Sequence, residues 1–148
     1  MKHALLLGAT LVAIPLTAAA QAPSALTPEQ IVQTRKAVMA LSGGDLAAMK
    51  AAADANADVK QLVFSARSMS RWARNLPNMF PDGSNVPPTG AKAEVWSDRA
   101  GFTAAATVYA DAATRLATAA EAGDRAAFLT AWGEVRGACG ACHDAYKD

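Results

Sequence analysis

The chain has 148 residues, of which 52% are hydrophobic, and its 14 Lys and Arg nearly balance its 13 Asp and Glu. This balance gives no support for nucleic-acid binding, which requires a basic face. The length predicts one domain.

The N-terminus has the pattern of a secretory signal peptide. Lys2 precedes an apolar stretch at residues 4–16, and small residues follow it up to Ala20. The stretch is too short to span a membrane. We therefore predict that residues 1–20 are removed and that residues 21–148 form an exported, periplasmic domain with no membrane segment.

The first helix is predicted to begin at Thr27. Thr27 can cap it, Pro28 suits the first helical position, and Gln30 can complete a capping box. Gly43 and Gly44 predict a kink or a break within this helix. Its inward stripe comprises Ile31, Arg35, Val38 or Met39, and Leu46.

A second helix is predicted over residues 56–76, with Pro77 ending it. Residues 77–90 are rich in proline and glycine, which predicts a long connection that divides the helices into two pairs. The inward stripe of the second helix comprises Val59, Leu62, Val63, Ala66, Met69 and Ala73.

Two further helices are predicted after the connection. The third covers residues 92–122, with a restart at Ser97 and Asp98 and a C-cap at Gly123. The fourth opens at Asp124, a favourable N-cap. The inward stripe of the third helix comprises Phe102, Ala106, Tyr109, Ala113, Leu116 and Ala120. That of the fourth comprises Phe128, Trp132, Val135, Cys139, Cys142 and Tyr146.

The fold class follows from these four helical segments. No segment alternates apolar and polar residues as a strand would. The chain is therefore predicted to be an all-α, antiparallel four-helix bundle with one long crossing loop. Alanines on the inward faces allow close helix approach and leave room for a large planar cofactor in the bundle interior.

The run Cys139-Gly140-Ala141-Cys142-His143 lies near the C-terminus. Cys-x-x-Cys-His is the attachment signal of a c-type haem. On a helix the three side chains project from one face, so two thioether bonds can hold the porphyrin edge while the imidazole nitrogen binds the iron. The motif predicts one covalently attached haem c per chain.

Three other structures could use the two thiols. A thioredoxin-like redox pair requires a strand before the motif, whereas residues 124–146 have a helical pattern. A structural zinc site needs four ligands, and the exported chain offers two Cys and one His because His3 lies in the predicted leader. A local disulfide is chemically possible but leaves His143 unexplained.

Over nearly all of residues 21–148, the chain resembles the cytochrome c′ family, the bundle-type class II c cytochromes. In class I cytochromes c the haem motif lies near the N-terminus, so its C-terminal position here is typical of the bundle class. The resemblance rests on residues 35–39, 76–77, 80–84, 91–96, 122–124 and 139–147.

The resemblance implies roles for residues of the fourth helix. Cys139 and Cys142 would form the thioethers, and His143 would take the fifth coordination position of the iron. Lys147 matches a position where relatives carry Arg or Lys. It either influences ligand exchange on the His143 side or is a solvated lysine favoured by the helix dipole.

Arg35 matches a basic residue near the haem propionates of relatives. The alternative for an Arg on an apolar stripe is a surface residue that snorkels to solvent. Thr89, just before the third helix, is a further candidate for a contact with the haem edge.

Two possible functions differ in whether Met39 binds the haem iron. In the family, a bulky apolar residue here covers the iron without binding it, which leaves a five-coordinate, high-spin haem open to NO and CO. In related low-spin bundle cytochromes a Met on the first helix binds the iron, which favours electron transfer. A core Met is more often packing than ligand, so we favour the vacant site, with Met39 as sixth ligand the alternative. The remaining methionines of the exported chain are predicted to be core or loop residues: Met49, Met69 and Met79.

The predicted protein is a gas-binding or electron-transfer protein and not an enzyme, because reversible gas binding needs no catalytic acid or base. Its expected partners are NO, CO and redox proteins. The resemblance also implies a homodimer formed through the first two helices.

Overall fold

The computed structural model describes residues 25–148, so the predicted signal peptide lies outside the described residues. Within this range the chain forms helices and no β-strand, which confirms the all-α class. The helices are α1 (Pro28–Asp54), α2 (Val63–Asn75), α3 (Glu94–Ser97), α4 (Arg99–Ala122) and α5 (Arg125–Tyr146), with 3₁₀ turns at Val59–Leu62 and Leu76–Met79. None of the described helices is long and apolar enough to cross a membrane.

The start of α1 forms as predicted. The Thr27 side chain accepts from the Gln30 backbone N–H, and the Gln30 side chain accepts from the Thr27 N–H at 2.8 Å. The predicted kink or break at Gly43 and Gly44 is wrong, because α1 continues through both glycines to Asp54. Each glycine weakens the helix by about 1 kcal/mol relative to alanine. Burial of side chains beyond the pair compensates, namely Leu46, Met49 and Ala53.

The second predicted helix is shorter than expected. Asp58 caps a 3₁₀ turn by accepting from the Lys60 N–H at 2.9 Å, and α2 begins only at Val63. At its other end α2 stops at Asn75, and Pro77 lies within the following 3₁₀ turn. A proline fits the first positions of such a turn because it needs no backbone donor there. The crossing loop therefore begins at Phe80, three residues later than predicted.

In the second helix pair, the restart, the C-cap and the opening of the last helix are as predicted, whereas the first helical residue is Glu94 and not residue 92. The chain breaks at Asp98, whose side chain then caps α4 at the Gly101 N–H, 3.1 Å away. Gly123 ends α4 in the left-handed conformation, with φ of 75°. Asp124 caps α5 by accepting from the Ala127 N–H at 2.9 Å. Local side-chain chemistry thus sets both ends of the turn between α4 and α5.

The four long helices form an antiparallel bundle. α4 packs along α2 and α5, whereas α1 approaches α2 and α5 less closely. The close packing of α4 follows from its many small side chains, because alanines allow neighbouring backbones to approach. Its buried alanines are Ala106, Ala110, Ala112, Ala113, Ala117, Ala119 and Ala120.

The C-terminal tail is held against the crossing loop. Lys92 donates its backbone N–H to Tyr146 O, and Asp148 donates to Gly90 O, both at 3.0 Å. These bonds form an isolated antiparallel bridge between Ala91 and Lys147. The end of α5 is therefore fixed relative to the loop, next to the haem motif.

Candidate haem site

A cavity of about 670 Å³ lies between α1, the crossing loop and α5, with side chains of α2 and α4 completing its walls. Ligand pockets in proteins typically have volumes of about 300 to 1,000 Å³ and mainly apolar walls. The walls of this cavity are mainly apolar as well. Its size and polarity suit a large organic cofactor.

The α5 wall carries the whole motif. Cys139, Cys142 and His143 all line the cavity, at the one-face spacing that the sequence predicts. Both cysteines are half-buried free thiols, whereas His143 is exposed. Burial raises the pKa of each thiol, and for Cys142 the neighbouring Cys139 raises it further. Burial thus favours the neutral thiol over the thiolate at both positions.

Residues of α1 also line the cavity. Met39 and Ser42 lie one turn apart on α1, and both line the cavity. Met39 is half-buried and packs against the hydrophobic core. The structure thus places Met39 and His143 on different helices that border one space. Met49 and Met69 are buried in the core, as predicted.

Arg35 is buried at the cavity wall, with 3% of its surface exposed. Its guanidinium donates to Ser84 Oγ at 2.9 Å, Ser84 O at 2.8 Å and Thr89 Oγ1 at 2.7 Å. It also lies 4.5 Å above the Phe80 ring centroid, a cation–π distance. Burial lowers its pKa. Within residues 25–148 no carboxylate forms a salt bridge with Arg35.

The crossing loop is tied to α1 at a second point. Lys36 donates to the Pro88 carbonyl at 3.1 Å. Thr89 lines the cavity, and its hydroxyl accepts from the Ala91 N–H at 3.1 Å as well as from Arg35. Lys147 also borders the cavity, but it is exposed and its ammonium donates to Asp148 O. The predicted site residues are therefore brought together around one cavity.

Tyr109 is a cavity residue whose hydroxyl the sequence did not single out. The inward stripe of α4 identified it as a core position, and it is 6% exposed. Burial, and to a smaller extent the nearby Cys139, raise the pKa of Tyr109 to about 12, against the opposing influence of the neighbouring Ser42 hydroxyl. The sequence feature that could have identified Tyr109 as a site residue is that it carries the one hydroxyl on an otherwise apolar inward stripe.

The chemistry of the lining residues fits a c-type haem. The two thiols match the two thioether positions, the imidazole matches an axial ligand, and apolar walls exclude water from the ring. A zinc site has less support, because the described part of the chain contains no group of three or more His, Cys, Asp and Glu side chains positioned to hold a metal ion.

Comparison with known sequences points to the same chemistry. The family model described as Cytochrome C' matches residues 30–147. Cytochrome c' of Rhodospirillum rubrum is 33% identical over 149 residues, which is 99% of each chain.

Solved structures give the same result. Cytochrome c' from Rubrivivax gelatinosus has a TM-score of 0.75 and 33% identity, over 82% of this chain and 97% of that one. The nitric oxide complex of a mutant of cytochrome c prime from Alcaligenes xylosoxidans has a TM-score of 0.76 and 28% identity, over 84% and 98% of the two chains. A carbon monoxide-bound variant of that protein has a TM-score of 0.75. The similarity therefore extends over most of the chain.

Proposed function

The chain belongs to the cytochrome c′ family, whose members bind haem c, and we propose that it holds one haem covalently through Cys139 and Cys142. His143 is the axial ligand in this proposal. The observation that carries it is that all three side chains line one wall of an apolar cavity. The haem would supply an iron centre that binds a small ligand or exchanges an electron.

Arg35 supports the proposal through its charge. Its guanidinium is buried at the cavity wall, and no carboxylate pairs with it in residues 25–148. A buried charge is costly unless an opposite charge or several hydrogen bonds compensate. A propionate of the bound haem would supply the missing negative charge, with Thr89 beside it at the cavity edge.

We propose that the iron site is five-coordinate and high-spin and that the protein binds NO and CO. Met39 on α1 lines the same cavity as His143 on α5, and the family resemblance assigns to this position a bulky apolar residue that covers the iron without binding it. A small uncharged gas fits an apolar pocket of this kind. The NO and CO complexes of the Alcaligenes xylosoxidans protein support the assignment by similarity. Such binding needs no catalytic acid or base, so the proposed role is not enzymatic.

Electron transfer with Met39 as sixth ligand is the second candidate. The observation that favours it is that Met39 lines the same cavity as His143 and is only half-buried, so its side chain is accessible from the cavity. Thioether ligation raises the reduction potential of a haem. In this case the partners would be redox proteins.

The proposed location is the periplasm, and the proposed assembly is a homodimer formed through α1 and α2. Two large apolar side chains on these helices are exposed, Leu41 to 69% and Phe64 to 82%. Burial of both in a second copy would remove apolar surface from water. Sedimentation should therefore give a dimer for the wild-type protein and a larger monomer fraction for Phe64→Glu.

Covalent attachment can be tested by intact mass under denaturing conditions. The wild-type protein expressed in the periplasm should carry the mass of one haem, and Cys142→Ala should lose much of it. Wild-type protein that releases its haem on denaturation would contradict the thioether assignment.

Absorption spectra test the coordination state. The reduced wild-type protein should give a high-spin spectrum that changes rapidly on CO addition, and the matched variant Met39→Leu should behave alike. A sharp low-spin band that resists CO in the wild-type protein, but not in Met39→Leu, would instead establish Met39 as the sixth ligand.

A further inference from the structure

A groove of about 270 Å³ lies between α2 and α4, separate from the haem cavity. It shares no lining residue with that cavity, and neither Leu41 nor Phe64 borders it. Its walls are mainly polar. We call it the arginine groove, and its lining residues are Arg67, Ser70, Arg71 and Arg74 of α2 with Thr114, Ala117, Thr118 and Glu121 of α4.

The arginine groove carries more positive than negative charge. Its one carboxylate, that of Glu121, accepts from Arg67 at 2.6 Å. Within residues 25–148 no carboxylate forms a salt bridge with Arg71 or Arg74. These two arginines are three residues apart on α2, so their side chains are neighbours on the helix surface. Two adjacent guanidinium charges therefore lack a counter-charge.

Two hydroxyl groups hold one end of the Arg74 side chain. Its Nη1 donates to Ser70 Oγ at 2.8 Å and to Thr114 Oγ1 at 3.2 Å. Ser70 is 4% exposed, and its hydroxyl is also hydrogen-bonded to that of Thr114 at 3.0 Å. This network orients the guanidinium and leaves its Nε and Nη2 free of partners among the described residues. An arginine can bind an anion at that edge through two parallel hydrogen bonds.

We propose that the arginine groove binds a phosphate group, with Arg74 donating to two of its oxygens and Arg71 supplying the second positive charge. A phosphate ester carries a charge of about −1.5 to −2 at pH 7, which matches two guanidinium groups. A carboxylate would compensate only one of them. A soluble phosphate monoester and an anionic phospholipid headgroup both present this chemistry. The site does not depend on the gas-binding role of the haem, because the groove and the haem cavity are separate.

Titration calorimetry of the haem-loaded protein with glycerol phosphate at low ionic strength tests the site. The wild-type protein should bind, and Arg74→Gln should bind about 10- to 100-fold more weakly, because it loses charge-assisted hydrogen bonds. Acetate should bind the wild-type protein more weakly than glycerol phosphate does. Equal affinity for acetate, or no binding of glycerol phosphate to the wild-type protein, would overturn the proposal.

Arg115→Gln is the matched control. Arg115 lies on α4 outside the groove and pairs with Glu134 at 2.7 Å, so its loss changes the net charge by the same amount. Its affinity for glycerol phosphate should stay within about 2-fold of the wild-type value. Equal weakening by the two substitutions would overturn the proposal, provided that circular dichroism shows both variants to be folded.

Cosedimentation with vesicles that contain phosphatidylglycerol distinguishes the two sources of the phosphate group. Binding to vesicles by the wild-type protein, and its loss in Arg74→Gln, would support the site and assign it to a lipid headgroup. Binding of glycerol phosphate without binding to vesicles would support the site and assign it to a soluble ligand.

Discussion

The substitution Arg35→Met tests how α1 holds the crossing loop. Methionine replaces most of the apolar stem of Arg35 but none of its hydrogen bonds. Three hydrogen bonds with donor–acceptor distances of 2.7 to 2.9 Å are lost, two to Ser84 and one to Thr89. The longer contact with Met79 O, at 3.4 Å, contributes little.

The expected effect follows from the groups that remain. Ser84 is 1% exposed, so its carbonyl oxygen loses its donor without gaining water, which costs about 1 to 3 kcal/mol. Loss of the cation–π contact with Phe80 costs about 0.5 to 2 kcal/mol. Thr89 is only half-buried and can bind water instead. The variant avoids burying a charge but also leaves the proposed haem propionate without its partner, and these two effects oppose each other. We therefore expect the free energy of unfolding to fall by about 2 to 4 kcal/mol.

Urea unfolding of the haem-loaded protein, followed by circular dichroism, measures this change. Lys36→Met is the matched control, because Lys36 is the next residue on α1 and donates to the same loop from an exposed position. It should lower the free energy of unfolding by less than about 0.5 kcal/mol. Equal effects of the two substitutions would refute the conclusion that the buried hydrogen bonds of Arg35 hold the crossing loop.

Three further predictions concern a turn, a cap and a buried phenol. Gly123→Ala should lower the free energy of unfolding by about 1 to 2 kcal/mol in thermal or urea unfolding, because φ is 75° and the new Cβ meets Lys60. No change would contradict a left-handed Gly123. Asp98→Ala removes the cap of α4 and the acceptor of Tyr146, so urea unfolding should show a loss of about 1 kcal/mol or more, whereas Asp98→Asn should retain part of the cap. The pKa of Tyr109 is raised to about 12 in the folded state from 10.0, so the protonated phenol stabilises the fold fully below about pH 10, and this contribution is lost as the pH rises to about 12. Relative to Tyr109→Phe, the free energy of unfolding of the wild-type protein should fall by about 2 to 3 kcal/mol over this range. Parallel pH profiles of the two proteins in urea unfolding would argue against a buried phenol.

Several features could be predicted because their causes are local. The caps at Thr27, Gly123 and Asp124 depend on side chains within three or four residues, and the structure has each where the sequence placed it. The haem motif is equally local, since Cys139, Cys142 and His143 share one face of any helix. The continuity of α1 through Gly43 was not predictable in this way, because it depends on packing farther along the helix.

The partners of Arg35 illustrate what the sequence left open. An Arg on an apolar stripe suggested a buried anion or a snorkelling side chain, but its observed acceptors lie 49 and 54 residues away in the crossing loop. The loop has no periodic pattern that would predict which of its oxygens turn inward. Tyr109 is a similar case, because an inward position does not say whether the side chain meets core or cavity.

The sequence by itself determined the helical class, the helix ends capped by Thr27, Gly123 and Asp124, and the motif that predicts covalent haem, because periodicity, capping and motif spacing act within a few residues. The tertiary structure alone decided that α1 packs less closely against α2 and α5 than α4 does, that a cavity of about 670 Å³ opens beside the motif, and that Arg35 and Tyr109 line it. These features depend on how four helices and one long loop pack together. That packing is the sum of many weak contacts between residues distant in the chain, so no short segment encodes it.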